Sequence, residues 1–465
     1  MIDRTRDASL AAGIVLLLLA GLVLGAGRDD IEPTPVVDRA PVFVEEAMFC
    51  PPVPGATEGA AGFAAGAPSG APLKMDVITG DDEEPVEVPG ETILLRDPDD
   101  AVATTVVGFG SHIEATGTMS FSEPVSGLGS AACLDRPATD WYFPQGSSAR
   151  DFNERLVLLN PFQDEAVVNV TFFTRGGRQV KARLQSVPVP AGETTSIRVN
   201  QFILQQRTLA AHVSTERGRI LAWKALFDAS EERNPGVSVS QGLMEPNEEW
   251  FFPAGGVGGG LDERISLLNT TADDAVVNIS LVTDEQMRQP SSLVEITVPS
   301  ETVRDISLNE AVNGRDLGAA SAIVRSVNGV PLFAERSVSY GDPGFRGYAS
   351  EMGAGVESTT WWLGSVGPRL TNDSIVVLNL DEAPATVTVS LWREDGQPVD
   401  DVSLEEVRVR PGGRARISLE DLTGGEAMVA LLEASGPVIA ERVGASSERS
   451  DVTSLMGVPI TGRRP

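Results

Sequence analysis

The sequence predicts an all-β protein: tandem immunoglobulin-like β-sandwich domains preceded by one N-terminal transmembrane helix. Two patterns predict the sandwiches and one predicts the helix. Apolar and polar residues alternate at period two at the same point of successive segments, the mark of a strand with one buried face. An aromatic opener, a polar loop and an apolar run ending in Asn recur together. They run from Trp141-Tyr142-Phe143-Pro144 to Asn160, from Trp250-Phe251-Phe252-Pro253 to Asn269, and from Trp361-Trp362-Leu363-Gly364 to Asn379. Leu10 to Gly27 carries no charge, a run long enough, at about 1.5 Å per helical residue, to cross a hydrocarbon core of about 30 Å.

In chain order, residues 1–8 are expected to be cytoplasmic and 9–27 to span the membrane. Arg4 and Arg6 before the span keep the N-terminus inside, because cytoplasmic flanks are enriched in cations. A cleaved signal peptide is the alternative; its apolar core is usually about 7–15 residues long, and only Leu24-Gly25-Ala26 imitates a cleavage site. The expected location is the cell membrane, single-pass, with the bulk of the chain extracytoplasmic. Residues 28–48, with Pro33, Pro35 and Pro41, read as an extended stalk.

Four sandwich units are then expected: 49–138, which is degenerate, 139–247, 248–357 and 358–465. The alternating strand is Leu73, Met75, Val77 in the first, Val168, Val170, Phe172 in the second, Val277, Ile279, Leu281 in the third and Val387, Val389, Leu391 in the fourth. A tight turn follows each, around Pro89, Pro190, Pro299 and, in altered form, Pro411. Proline fixes φ and glycine accepts positive φ, as such turns require. The spacing is that of a sandwich of about 100 residues. Each unit is expected to close with a strand pair around a turn, as from Met428-Val429-Ala430-Leu431 to Val438-Ile439-Ala440. Gly55 to Ala71, rich in Ala and Gly, reads as a mobile loop. Short helical turns are expected near Asn200 to Gln206 and Leu308 to Val312. Cys50 opens the first unit and Cys133 closes it. In an exported chain such a pair is expected to form a disulfide, with two buried thiols as the alternative.

The order Cys50, Ala131-Ala132-Cys133, Trp141-Tyr142-Phe143-Pro144 and Leu158-Leu159-Asn160-Pro161 resembles an uncharacterised family of actinobacterial single-pass envelope proteins, a domain of unknown function. The resemblance covers nearly the whole ectodomain. It implies a place in the envelope, with a link to envelope glycan assembly, and brings no catalytic residues. Leu363-Gly364 and the altered fourth turn depart from the pattern.

The residues argue against an enzyme. There is no G-x-S-x-G elbow, and the two histidines, His112 and His212, fall in different units without metal-ligand spacing. No cofactor and no metal are expected. Ala254 to Gly260 lacks the Lys-Ser/Thr of a phosphate loop. The acids Asp81 to Glu84 and Asp273-Asp274 sit at predicted turns, where acids are solvated. Glu335-Arg336 and Glu441-Arg442 read as charge pairs guarding an exposed strand. Trp141, Tyr142, Trp250, Phe251, Trp361 and Trp362 read as packing between or within units; stacking on a sugar or partner is the ligand-binding alternative. A net charge of −30 opposes nucleic acid, which needs clustered cations. The expected function is a non-catalytic, membrane-anchored extracytoplasmic scaffold or interaction protein of the bacterial cell envelope. The alternative is a glycan-binding accessory for envelope polysaccharide assembly or glycosylation. The expected partners are the membrane, through the helix, and an envelope protein or glycan.

Overall fold

Among the described residues the same strand positions recur four times and fall into the same two antiparallel layers, joined in the fourth repeat by a strand common to both. The second repeat serves as the pattern. One sheet joins Asp140–Gly146, Leu209–Arg217, Ala166–Thr174 and Gly177–Val180; the other joins Thr194–Arg198, Phe152–Leu159, Leu221–Asp228 and Gly236–Gln241. The computed structural model describes residues 46–460 apart from 55–57, 68–72, 80–81, 89–92, 97–103, 110–112, 231–233, 343–344, 365–369, 394–397, 400–405, 421–427 and 447–450. The predicted span 9–27 and the stalk as far as residue 45 lie outside the described residues, as does His112. Among the described residues no helix is long and apolar enough to cross a membrane.

The alternating segments form strands because one face of each can be enclosed. Val168, Val170 and Phe172 from one sheet meet Leu156 and Leu158 from the other in a fully buried core. The first two strands of each repeat lie in opposite sheets. An immunoglobulin sandwich instead pairs its first strand with its second, so the observed architecture is a two-sheet antiparallel sandwich of different strand order.

Two polar pins explain the recurring motifs. The indole N–H of Trp141 donates to Ile220 O at 2.9 Å, that of Trp250 to Leu332 O at 2.8 Å and that of Trp361 to Val438 O at 3.0 Å. The Asn that ends each apolar run is buried. Asn160 donates to Asp164 O and Val189 O and accepts from Phe162 N; Asn269 and Asn379 repeat the arrangement. A buried amide of this kind is stable only when its capacity is used.

The first repeat replaces a ring with a covalent bond. In the later repeats a glycine at 242, 353 or 457 leaves room for the facing side chains, Phe143, Phe252 and Leu363. The backbone N–H of Cys133 makes the same hydrogen bond as those glycines, to Ala115 O, and its side chain bonds Cys50 in the expected disulfide.

Several expectations are corrected. The Ala/Gly tract contains the strand Glu58–Gly66, buried from Ala61 onward. Its small side chains permit close packing, as at Gly59, where Ser120 O leaves no space for a Cβ. Asp82 to Glu84 lie in a strand, Asp82–Val88, rather than a turn. Glu46 to Met48, placed in the stalk, belong to the first strand, Glu46–Cys50. The last strand pair is one continuous strand, Met428–Ser446, which serves both sheets. Gly218 and Gly329 turn the second and third repeats at positive φ. Gly436 instead precedes Pro437, which holds it extended. The helical turns appear as Val199–Gln201 and Leu308–Ala311.

Residues Phe43–Pro465 form one compact unit, and the repeats close into a ring. The last strand of each, Gly127–Ala132, Gly236–Gln241, Phe345–Met352 and Val452–Met456, packs against the last strand of the next, and the fourth returns to the first. Around this axis Ser238 Oγ meets Ser350 Oγ at 2.8 Å, and Thr453 Oγ1 meets Ser130 Oγ at 2.8 Å. One end of the axis is filled by the buried carboxylate of Asp451. It accepts from Leu128 N at 2.6 Å and from its own neighbour Val452 N at 2.8 Å, with Val237 N and Tyr348 N completing the set, one N–H from each axial strand. The corresponding residues of the other three strands are Gly127, Gly236 and Gly347. A Cβ on any of them would lie within 2.1–2.7 Å of an Asp451 oxygen.

Asp451→Ala leaves these inward N–H groups without an acceptor and is expected to lower the unfolding free energy by about 3 kcal/mol. Gly236→Ala is expected to act likewise and exposed Gly176→Ala to be neutral, all read from urea midpoints. Cys50→Ser with Cys133→Ser, which opens a separation of 83 residues, is expected to cost about 4 kcal/mol in the same assay.

Candidate functional site at the repeat seams

The residues following the common Ala of the seventh strand stand at the borders between repeats. They are Thr116-Gly117, Trp223-Lys224, Glu335-Arg336 and Glu441-Arg442, after Ala115, Ala222, Ala334 and Ala440. The pairs expected to guard an exposed edge are thus buried: Arg336, like Lys224, reaches across to the next repeat, while Arg442 is held within its own. Lys224 Nζ meets Glu335 Oε1 at 2.6 Å and donates to Gln145 O, while Gln145 N donates back to Glu335 Oε2 at 3.0 Å. One seam on, Arg336 pairs with Glu441 and donates to Ala254 O, while Ala254 N donates to Glu441 Oε2 at 2.8 Å.

Each of these two seams encloses a second acid. Ser147 N donates to Glu154 Oε2 at 2.7 Å, and Gly256 N to Glu263 Oε2 at 2.7 Å. With two carboxylates facing one cation, burial and the neighbouring acid outweigh Lys224 and push Glu154 up to about 7. Burial likewise pushes Glu263 up to about 7 against the pull of Arg336. The fourth repeat has one acid for one cation: Asp373 and Arg442 pair at 2.9 and 2.6 Å within it. At the first seam Gly117 carries no charge, and apolar contact takes over, with Phe121 edge-on to Phe227 at 5.1 Å. At the seam between fourth and first repeats Trp362 and Trp392 enclose Ala64.

The seam between the second and third repeats is also open at its outer side. A cleft of about 190 Å³ lies there, and it shares Arg175 and Asp305 with a neighbouring groove of about 700 Å³. Its floor is polar and buried: Gln145, Ser147, Ser337, Ser339 and Tyr348. Gln145 Nε2 donates to Tyr348 Oη at 2.8 Å. Arg264 Nε donates to Asp305 Oδ2 at 2.7 Å on one wall, and exposed Arg175 and Arg207 form the rim. The next seam is shut at this place. There Arg414 meets Asp284 at 2.9 Å and Ser321 Oγ at 3.1 Å, and Arg410 donates to Asp284 O at 2.9 Å. Strand register puts Val303 where Arg414 stands and Arg175 where Asp284 stands.

The aromatic candidates are not gathered into a site. Trp141, Trp250, Phe251, Trp361 and Trp362 are buried in cores and seams, so their faces are closed to a sugar. Tyr142 is half-buried between His212 and Phe333, with both ring centroids 4.1 Å away. His212 Nε2 lies 2.8 Å from Asp140 Oδ1. Asp273 and Asp274 remain at an exposed turn. Among the described residues no group of three His, Cys, Asp or Glu is placed to hold a metal ion. Sequence reasoning missed the acids at 154, 263 and 373. Each lies six residues before the recurring Asn, where the stretch reads as a polar loop giving way to an apolar run.

A family model described as a family of unknown function, DUF5719, matches residues 100–344, more than half of the chain. The chain belongs to this family. No curated protein matches it. Among solved structures, Thermotoga maritima 1070 is similar at 16% identity and TM-score 0.20, over 24% of this chain and 96% of that one. The Anabaena sensory rhodopsin transducer is similar at 15% identity and TM-score 0.16, over 18% and 94%. A Sulfolobus turreted icosahedral virus structure is similar at 9% identity and TM-score 0.15, over 79% and 86%. Likenesses this slight carry no argument about the family's function.

Raised carboxylates fix the sign of the pH dependence. Between about pH 4.5 and about pH 7 the folded chain keeps protons on Glu154 and Glu263 that the unfolded chain releases. Stability is therefore expected to fall as pH rises through that window, by up to about 1.4 kcal/mol per pH unit for each group. Glu154→Gln with Glu263→Gln is expected to make this part of the profile shallower without levelling it, since Glu351 and Asp451 are raised as well, read from urea unfolding followed by tryptophan fluorescence.

Proposed function

We propose that the protein is a non-catalytic, membrane-anchored scaffold or interaction protein on the outer side of a bacterial cell membrane, in an actinobacterial envelope. The 9–27 span holds it, and residues 1–8 stay inside. What supports this reading is the use made of the side chains that recur from repeat to repeat. The tryptophans pin strands, the asparagines pin loops, and the cation and acid positions join one repeat to the next. The motifs thus build a stiff closed body, and the loops that differ between repeats are left to meet a partner. A closed body suits holding and presenting, because binding to it spends little conformational entropy.

The test uses the full chain in an actinobacterial host. Alkaline washing is expected to leave it in the membrane fraction, external protease to cleave it in intact spheroplasts, and cross-linking to capture the same envelope protein in repeated preparations. Release by the wash, protection from external protease, or the absence of any recurrent protein partner would each count against the proposal. Recovery of a glycan instead would favour the accessory role in polysaccharide assembly.

A further inference from the structure

We propose that the cleft between the second and third repeats binds a small hydroxylated anion, a sugar acid or sugar phosphate. This inference stands apart from the scaffold reading, since it rests on one seam and not on closure. The two seams with the same buried ion pairs differ at their outer side. Between the third and fourth repeats the space is filled by Arg414, held by Asp284 and Ser321. Between the second and third the corresponding residues are Val303, Arg175 and Ala210. A short apolar side chain replaces the bridging arginine, and an arginine replaces its acid. The cross-seam pair is lost, Val303 lines the neighbouring groove, and Arg175 is left lining both that groove and the cleft.

The lining selects the ligand. Among the described residues neither Arg175 nor Arg207 has an ion-pair partner, in a chain whose net charge is −30. Their guanidinium groups present forked donors matched to a carboxylate or phosphate. Arg264 is already spent on Asp305, so it shapes the wall and leaves the anion to the rim. Asp262, also in the lining, can accept from hydroxyls but repels a bare anion. The buried hydroxyls of Ser337, Ser339 and Tyr348 lie below it. Donors for one anionic group at the rim, with an acceptor and hydroxyls beneath, match a ligand carrying a negative charge at one end and hydroxyls along its body.

Calorimetric titration of the purified full chain tests this with glucuronate, glucose 6-phosphate, glucose and inorganic phosphate. At least one of the two sugar anions is expected to bind about tenfold more tightly than glucose or inorganic phosphate, and the preferred one identifies the source of the anion. Arg175→Ala and Arg207→Ala, both at exposed positions, are each expected to weaken that binding about tenfold or more with an unchanged melting temperature. The combined change Arg175→Asp, Ala210→Ser and Val303→Arg copies the closed seam and is expected to abolish it. Absence of binding by both sugar anions overturns the proposal. So does equal binding of inorganic phosphate, or binding untouched by both arginine substitutions.

Discussion

A single carboxylate surrounded by backbone N–H groups governs the assembly. Asp451 stands where four strands converge, and only one side chain fits there. Three of the four equivalent residues are therefore glycine, and the fourth supplies the acceptor. Burial pushes Asp451 well above the usual carboxylate range, against the pull of the N–H donors from Leu128, Val452, Tyr348 and Val237. The asymmetry requires a fused chain. Identical copies would bring either four acids into one space or four glycines with inward N–H groups and nothing to receive them, and a buried donor without an acceptor is costly.

From that axis outward the seams become unequal. Two hold a cation outnumbered by buried acids, one leaves its cation to an acid of its own repeat, and one is apolar. Buried pairs of this kind are weak contributors to net stability, but breaking one is costly. Their evident use here is to fix which repeat faces which, because Lys224 fits Glu335 as Arg336 fits Glu441. The same inequality leaves one seam open at its edge, where Val303 stands in place of a bridging arginine.

The strands are legible in the sequence because period-two alternation reports a buried face directly: Val168 to Phe172 and Val277 to Leu281 are strands in the structure. The cysteine pair is legible from number and position. Three things are not. An Ala/Gly-rich composition cannot distinguish a loop from a strand whose partners are close, and the strand Glu58–Gly66 is of the second kind. Glu335-Arg336 looks like any solvated pair, since nothing local says that another repeat covers it. The contact of Leu128 with Asp451 links residues 323 apart, and periodicity carries no information at that range. The recurrence of Asn160, Asn269 and Asn379 is visible, but its purpose is not, because an amide's partners belong to other strands.

The contact that closes the ring has a consequence for synthesis. Until Asp451 has been made, the hollow between the first three axial strands has no acceptor, and Ala64 lacks the indole rings of Trp362 and Trp392. A chain cut short by a stalled ribosome or a protease thus displays an oily patch and unanswered amide protons, features by which quality-control machinery tells damaged proteins from finished ones. Completeness is written into the ring: the final repeat certifies that all the others have been made.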